Sequence, residues 1–282
     1  MERCVDSVVA ERCHGNHYSV RLVLMRFPRS LFVLVAAVWA TVAYGQSGYE
    51  PVLVPISADM PVAGALGSVW QTEFSLLAVN NEVELAPTVD CFACPPAIHV
   101  RPGFALHITG GGLPGDPSGA LLYPSRATIE NAWFSLRVRD LSRNAQDWGT
   151  ELPVVREKDF LSDHAVLVDV PLDARFRQAL RIYDVDDDPN TTFRVTFYRA
   201  TDGTVVTQRD MHVIGAVVAV PGRPRVPSVA EVTDLRSAIP ELSTENELHI
   251  GIVPLTPNVR FWAFVSLTNN TTQHVTTITP QH

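Results

Sequence analysis

The feature that most limits how this chain can fold is alternation of apolar and polar residues in short runs, each closed by turn residues. Phe193–Arg194–Val195–Thr196–Phe197–Tyr198 alternates in this way, and so does Leu180–Arg181–Ile182–Tyr183. A period of two sends one set of side chains to a core and the other away from it, as in a half-buried strand. The polar segment Asp184–Asn190 separates these two runs, and Asp202–Gly203, a favoured hairpin pair, leads into Thr204–Thr207. Together they predict three strands in a meander from about 176 to 209. Helical patterns are scarce: Ala230–Ile239 predicts one short helix, and Asn144–Trp148 a single turn. The 21 prolines are spread among turn pairs, which suits many short strands and an all-β chain.

An internal repeat sharpens that reading. Val69–Leu76 (VWQTEFSL) lines up with Arg175–Ile182 (RFRQALRI), and Trp133–Asp140 (WFSLRVRD) with Trp262–Asn269 (WAFVSLTN). Phe134, Leu136 and Val138 then match Ala263, Val265 and Leu267 on one face. A closing extended run follows in each copy, Thr150–Val155 and Val275–Pro280. The same elements in the same order predict two tandem β-sandwiches, 49–157 and 158–282. One larger two-sheet domain is the competing architecture for an all-β chain of this length. Trp70, Phe74, Trp133, Trp262 and Phe264 are read as core, because large rings in alternating strands bury the most area. A sugar-stacking platform would use the same residues on an exposed face.

Residues 31–45, LFVLVAAVWATVAYG, follow a basic stretch at Met25–Ser30 and end in small residues. That layout predicts a secretory signal peptide over 25–45. The run is too short to span a bilayer comfortably. Glu2, Asp6 and Glu11 do not suit a signal, so residues 1–24 are read as an upstream extension from a mis-assigned start. The mature chain is then expected to be secreted or periplasmic, with no membrane association after cleavage. Residues 1–45 carry five of the 22 basic residues and three of the 30 acidic ones, leaving 17 against 27. An acidic balance argues against nucleic acid and anionic lipid, which need basic patches.

Few residues group into chemistry. Cys91 and Cys94, followed by Pro95–Pro96, are expected to form a local disulfide in an exported protein. The prolines forbid the helix that a redox pair would need. With His99 and His107 the pair could instead supply a zinc site, although the spacing fits no common zinc pattern. Asp184, Asp186 and Asp188 alternate like the first ligands of a calcium loop, but Pro189 stands where the loop glycine belongs. A solvated hairpin tip is the plainer reading of these acids. Otherwise no cofactor is implied, and no nucleophile–base or metalloprotease motif occurs.

The chain resembles a group of secreted bacterial proteins of unknown function built from immunoglobulin-like sandwiches. The resemblance lies in Gly67–Phe74, Leu180–Asp184 and Phe261–Asn270. It implies a role at the surface or outside the cell, in adhesion or in binding a polymer, and it carries over no functional residue. The expected protein is a non-enzymatic binding or structural module whose partner is an extracellular polymer or protein, with oligomeric state left open. The alternatives are a carbohydrate-binding or carbohydrate-active protein, and a calcium-dependent adhesin-like domain.

Overall fold

Alternating runs become antiparallel strands nearly everywhere in the computed structural model, which describes residues 48–58, 61–86, 97–109, 119–143, 148–186, 188–214 and 226–281. The expected signal, its upstream extension and the Cys91–Cys94 pair lie outside those residues. The strands up to Arg156 are β1 (Val52–Val54), β2 (Val62–Ala63), β3 (Val69–Ala78), β4 (Val83–Ala86), β5 (Ile98–Val100), β6 (Ala105–Thr109), β7 (Ala120–Pro124), β8 (Ala132–Asp140), β9 (Thr150–Leu152) and β10 (Val155–Arg156). Those beyond are β11 (Ala165–Pro171), β12 (Phe176–Asp184), β13 (Thr192–Arg199), β14 (Val205–His212), β15 (Ser228–Val232), β16 (Glu247–Pro254), β17 (Phe261–Asn269) and β18 (Val275–Ile278).

These strands make four sheets. Sheet I runs β10-β1-β7-β4-β5, and sheet II runs β2-β3-β8-β9 with β6 also paired to β3. Sheet III runs β11-β16-β13-β14, and sheet IV runs β15-β12-β17-β18. Among the described residues every strand pairing stays within 49–156 or within 161–281, the two halves of the chain. The halves share one strand order. β1-β7-β4-β5 corresponds to β11-β16-β13-β14, and β6-β3-β8-β9 to β15-β12-β17-β18.

Register follows the sequence repeat. Trp70 faces Asp140 in the β3–β8 pair, and their aligned counterparts Phe176 and Asn269 face each other in β12–β17. The third strand departs by one residue: Val138 faces Thr150, whereas Leu267 faces Thr276 rather than Val275. A one-residue slip exchanges the two faces of a strand. The observed pairing sets Leu152 against Leu136 and Ile278 against Val265.

The buried apolar residues fall into two clusters. Val52, Phe74, Leu76, Leu85, Leu121 and Leu136 unite sheets I and II, whereas Leu167, Leu180, Phe197, Ile250, Phe261 and Val265 unite sheets III and IV. The first core also takes in Tyr183, Trp262 and Phe264 from the opposite face of sheet IV. β17 is therefore buried on both faces from Phe261 to Leu267. Contacts gather Gly45–His282 into one compact unit.

Two local expectations change. The three strands between 176 and 209 form as expected, but β12 lies in sheet IV and pairs with β15 and β17, while β13 and β14 make the hairpin in sheet III. Alternation fixes which face of a strand is buried, not which strand lies beside it. The expected helix shrinks to α1 (Leu235–Ala238), because Val229, Ala230 and Val232 extend to pair with β12.

Candidate functional site

The three aspartates of the calcium reading go to separate tasks. Asp184 is fully buried at the end of β12. Its Oδ1 accepts the Asp186 amide, and its Oδ2 accepts the Asp188 amide and the Thr191 hydroxyl at 2.6 Å. Burial pushes its carboxyl above the usual range, against the pull of those hydrogen bonds. Asp186 accepts from the Arg260 backbone amide at 2.9 Å and from its guanidinium. That interaction holds Arg260 above its ordinary pKa, and Arg260 also reaches Glu157 of the first half at 2.6 Å. Asp188 Oδ1 caps Asn190 through its amide and side chain. Among the described residues no group of three or more His, Cys, Asp or Glu is placed to hold a metal ion. Of the histidines in the zinc alternative, His99 pairs with Glu82 and His107 with Ser75, each at 2.8 Å.

The aromatics read as core divide. Phe74, Trp262 and Phe264 are buried, and Trp70 is partly so. Trp133 is a correction: it is 67 % exposed. It stands on the outer face of sheet II, because the alternation of β8 sends Leu136 and Val138 inward and Trp133, Ser135, Arg137 and Arg139 outward.

That outer face is built in rows across three or four strands. At one end Trp133 faces Leu77, which faces Ala105. Next come Ser135, Ser75 and His107, with the Ser75 hydroxyl bonded to the imidazole. Then Arg137 stands between Glu73 and Glu151, donating to Glu151 at 2.8 Å, while Arg139 donates to Glu73 at 2.5 Å. Both guanidinium groups lie 5.1 Å from the ring centre of Trp148, which is itself 68 % exposed. A cation at that distance is attracted to the indole face. Gly149 makes this stacking possible. Its φ is +95°, and a Cβ there would come within 2.6 Å of the Arg139 side chain and 2.7 Å of the Val138 carbonyl. The sequence reading passed over Trp148, Arg137 and Arg139. Their available signal was the pair of arginines at the polar positions of β8, followed by a Trp–Gly dipeptide.

The face therefore offers two exposed indoles, one of them seated on the ion-paired row, with a hydroxyl row between. Trp133 is four and six positions from the arginines that hold Trp148. At about 3.3 Å per residue those positions lie roughly 13–20 Å along β8. Two arginines balance two glutamates, so the face carries little net charge. Comparison with protein-family models, curated proteins and solved structures finds no match to this chain.

Proposed function

We propose that this protein is a non-catalytic binding module, acting outside the cytoplasm, that holds a neutral polysaccharide strand against the outer face of sheet II. The observation that carries this reading is the pair of exposed tryptophans, Trp133 and Trp148, on the outer face of sheet II. Exposed indoles pack against the apolar faces of sugar rings and exact little entropy, since each has only two side-chain torsions. Between them, Ser135, Ser75 and His107 offer hydroxyl and imidazole groups suited to sugar hydroxyls. Glu73 and Glu151 are each bonded to an arginine instead of facing one another across a gap, which favours binding over acid–base hydrolysis.

Export rests on the layout of residues 25–45. The immunoglobulin-like character of the halves belongs to the same proposal, supported by the sequence resemblance and by two antiparallel sheets around each core.

Affinity electrophoresis through gels containing β-glucan, xylan, mannan or α-glucan tests the reading. Retardation by at least one polymer is expected, reduced about tenfold or more in affinity by Trp133→Ala and Trp148→Ala with unchanged melting. Migration unaffected by every polymer, or retardation indifferent to both substitutions, would overturn it.

A further inference from the structure

A cavity of about 630 Å³ lies between the two halves, away from the outer face of sheet II. One wall is the part of sheet II's inner face that carries Trp70, Thr72 and Leu152. The other is the outer face of sheet IV, with Arg177, Ala179, Arg181, Ser266 and Thr268. The volume suits an organic molecule of moderate size. Sequence equivalence explains why the space exists: Ala179 occupies the position that Glu73 holds in the first half.

The charges in the cleft are unequally satisfied. Arg181 is bonded to Glu231 at 2.5 Å. Asp234, also on the lining, accepts the Ser237 hydroxyl. Arg177 donates to the neutral Gln273 side chain at 2.8 Å, and among the described residues no carboxylate pairs with it. A guanidinium at the wall of a partly enclosed space gains most from an anion that brings its own charge, because such pairs are stronger away from bulk water. Opposite the charged wall, the Trp70 indole packs close to Gly64. A Cβ on Gly64 would collide with Trp70 Nε1 and with the Ser68 hydroxyl, so the bare glycine lets the Nε1–Cδ1 edge of the ring pack against the chain.

We propose that this cleft binds a small amphipathic anion, an organic acid with a ring or alkyl body, its acid group on Arg177 and its body against Trp70. This site is independent of the polysaccharide face. Fluorescence titration with 1-anilinonaphthalene-8-sulfonate and with its uncharged counterpart N-phenyl-1-naphthylamine tests it. One sulfonate probe per chain is expected. Arg177→Gln should weaken the sulfonate about tenfold and leave the neutral probe within about twofold, whereas Arg177→Lys keeps most of the affinity. Ala179→Trp, which fills the space, should abolish binding of both probes. The double variant Trp133→Ala, Trp148→Ala should bind as the parent does, which separates this site from the polysaccharide reading. The proposal is overturned if the parent fails to bind the sulfonate, if folded Arg177→Gln binds it unchanged, or if the double variant removes the site. If Arg177→Gln does not fold, the Arg177→Lys and Ala179→Trp results decide in the same way.

Discussion

The outer faces of sheets II and IV are built from aligned strands in one register, yet one meets solvent and the other buries its aromatic end in the first half's core. On sheet II the outward positions are Gln71, Glu73, Ser75, Leu77, Trp133, Ser135, Arg137 and Arg139. Their counterparts on sheet IV are Arg177, Ala179, Arg181, Tyr183, Trp262, Phe264, Ser266 and Thr268. The contrast at each position is chemical. Leu77 is matched by Tyr183 and Ser135 by Phe264, and Tyr183, Trp262 and Phe264 stack with ring centres 5.4–6.5 Å apart. A continuous aromatic patch of that kind is unfavourable in water and is buried within the first half's core. Ion pairs and hydroxyls break up the same patch on sheet II. A period of two thus divides a strand into two faces, but the identity of the off-core residues decides which outer face must find a cover.

The largest test of this contrast compares equivalent tryptophans and their neighbours. Phe264→Ala or Trp262→Ala is expected to cost about 3–5 kcal/mol, from lost burial and a cavity beneath the first half. Trp133→Ala, at the position equivalent to Trp262, is expected to change stability by less than about 0.5 kcal/mol. Urea unfolding of the three variants measures this directly. Similar losses for Trp133 and Trp262 would mean that the face of sheet II is also covered in solution.

The aligned ends of β8 and β17 give a second, smaller contrast. Asp140 and Asn269 occupy one position and turn the chain in the same way: each Oδ1 accepts the amide two residues on, Ser142 in one case and Thr271 in the other. Asp140 adds a bond from the Val69 amide at 2.9 Å and an ion pair to Arg143. Burial pulls the Asp140 carboxyl upward, but hydrogen bonds from Ser142, Val69 and Arg143 outweigh it and hold the group below its ordinary value. A carboxylate depressed in the folded state stabilises above its unfolded pKa, and that stability is lost as pH falls through the folded value. Asp184 has the opposite sign. Its raised value means that its contribution is full below the unfolded pKa and lost as pH rises through the folded one. Asp140→Asn, which copies Asn269, should cost about 1.5–3 kcal/mol at pH 7 and progressively less in acid. Denaturant midpoints from pH 7 to pH 3 check it, and a loss constant with pH would show that ionised Asp140 adds nothing.

Strands and their inward faces were legible because alternation is a local property. Phe193, Val195 and Phe197 point to a core whatever lies beside them. The repeat was legible for the same reason, and it carried the β3–β8 and β12–β17 register because both strands of each pair were aligned together. Neighbourhood was not legible. Nothing local in Leu180–Tyr183 says that β12 leaves its sequence neighbour β13 for the other sheet, a step made at the turn where buried Asp184 accepts the amides of Asp186 and Asp188. The candidate surfaces were half legible. Arg137 and Arg139 occupy polar positions in the alternation of β8, but their union with Trp148 joins residues well separated in sequence and depends on the positive φ of Gly149. The cleft was hidden altogether, since Arg177 and Trp70 come to line one space only through packing between halves.

The finest contrast on the buried face concerns one oxygen. Tyr183, the counterpart of Leu77, sends its hydroxyl to the backbone carbonyl of Pro55 just beyond β1. This bond joins the two halves inside an apolar setting, between rings that pack whether or not the hydroxyl is present. Tyr183→Phe keeps those rings stacked and removes only the donor, so the Pro55 carbonyl loses a buried partner. The expected cost is about 1 kcal/mol, well under that of Phe264→Ala. If the double variant Tyr183→Phe, Phe264→Ala loses just the sum of the single costs, the hydroxyl and the aromatic patch act separately. A smaller combined loss would mean that the patch holds Tyr183 in place for its bond, so that the covering of sheet IV is one cooperative contact.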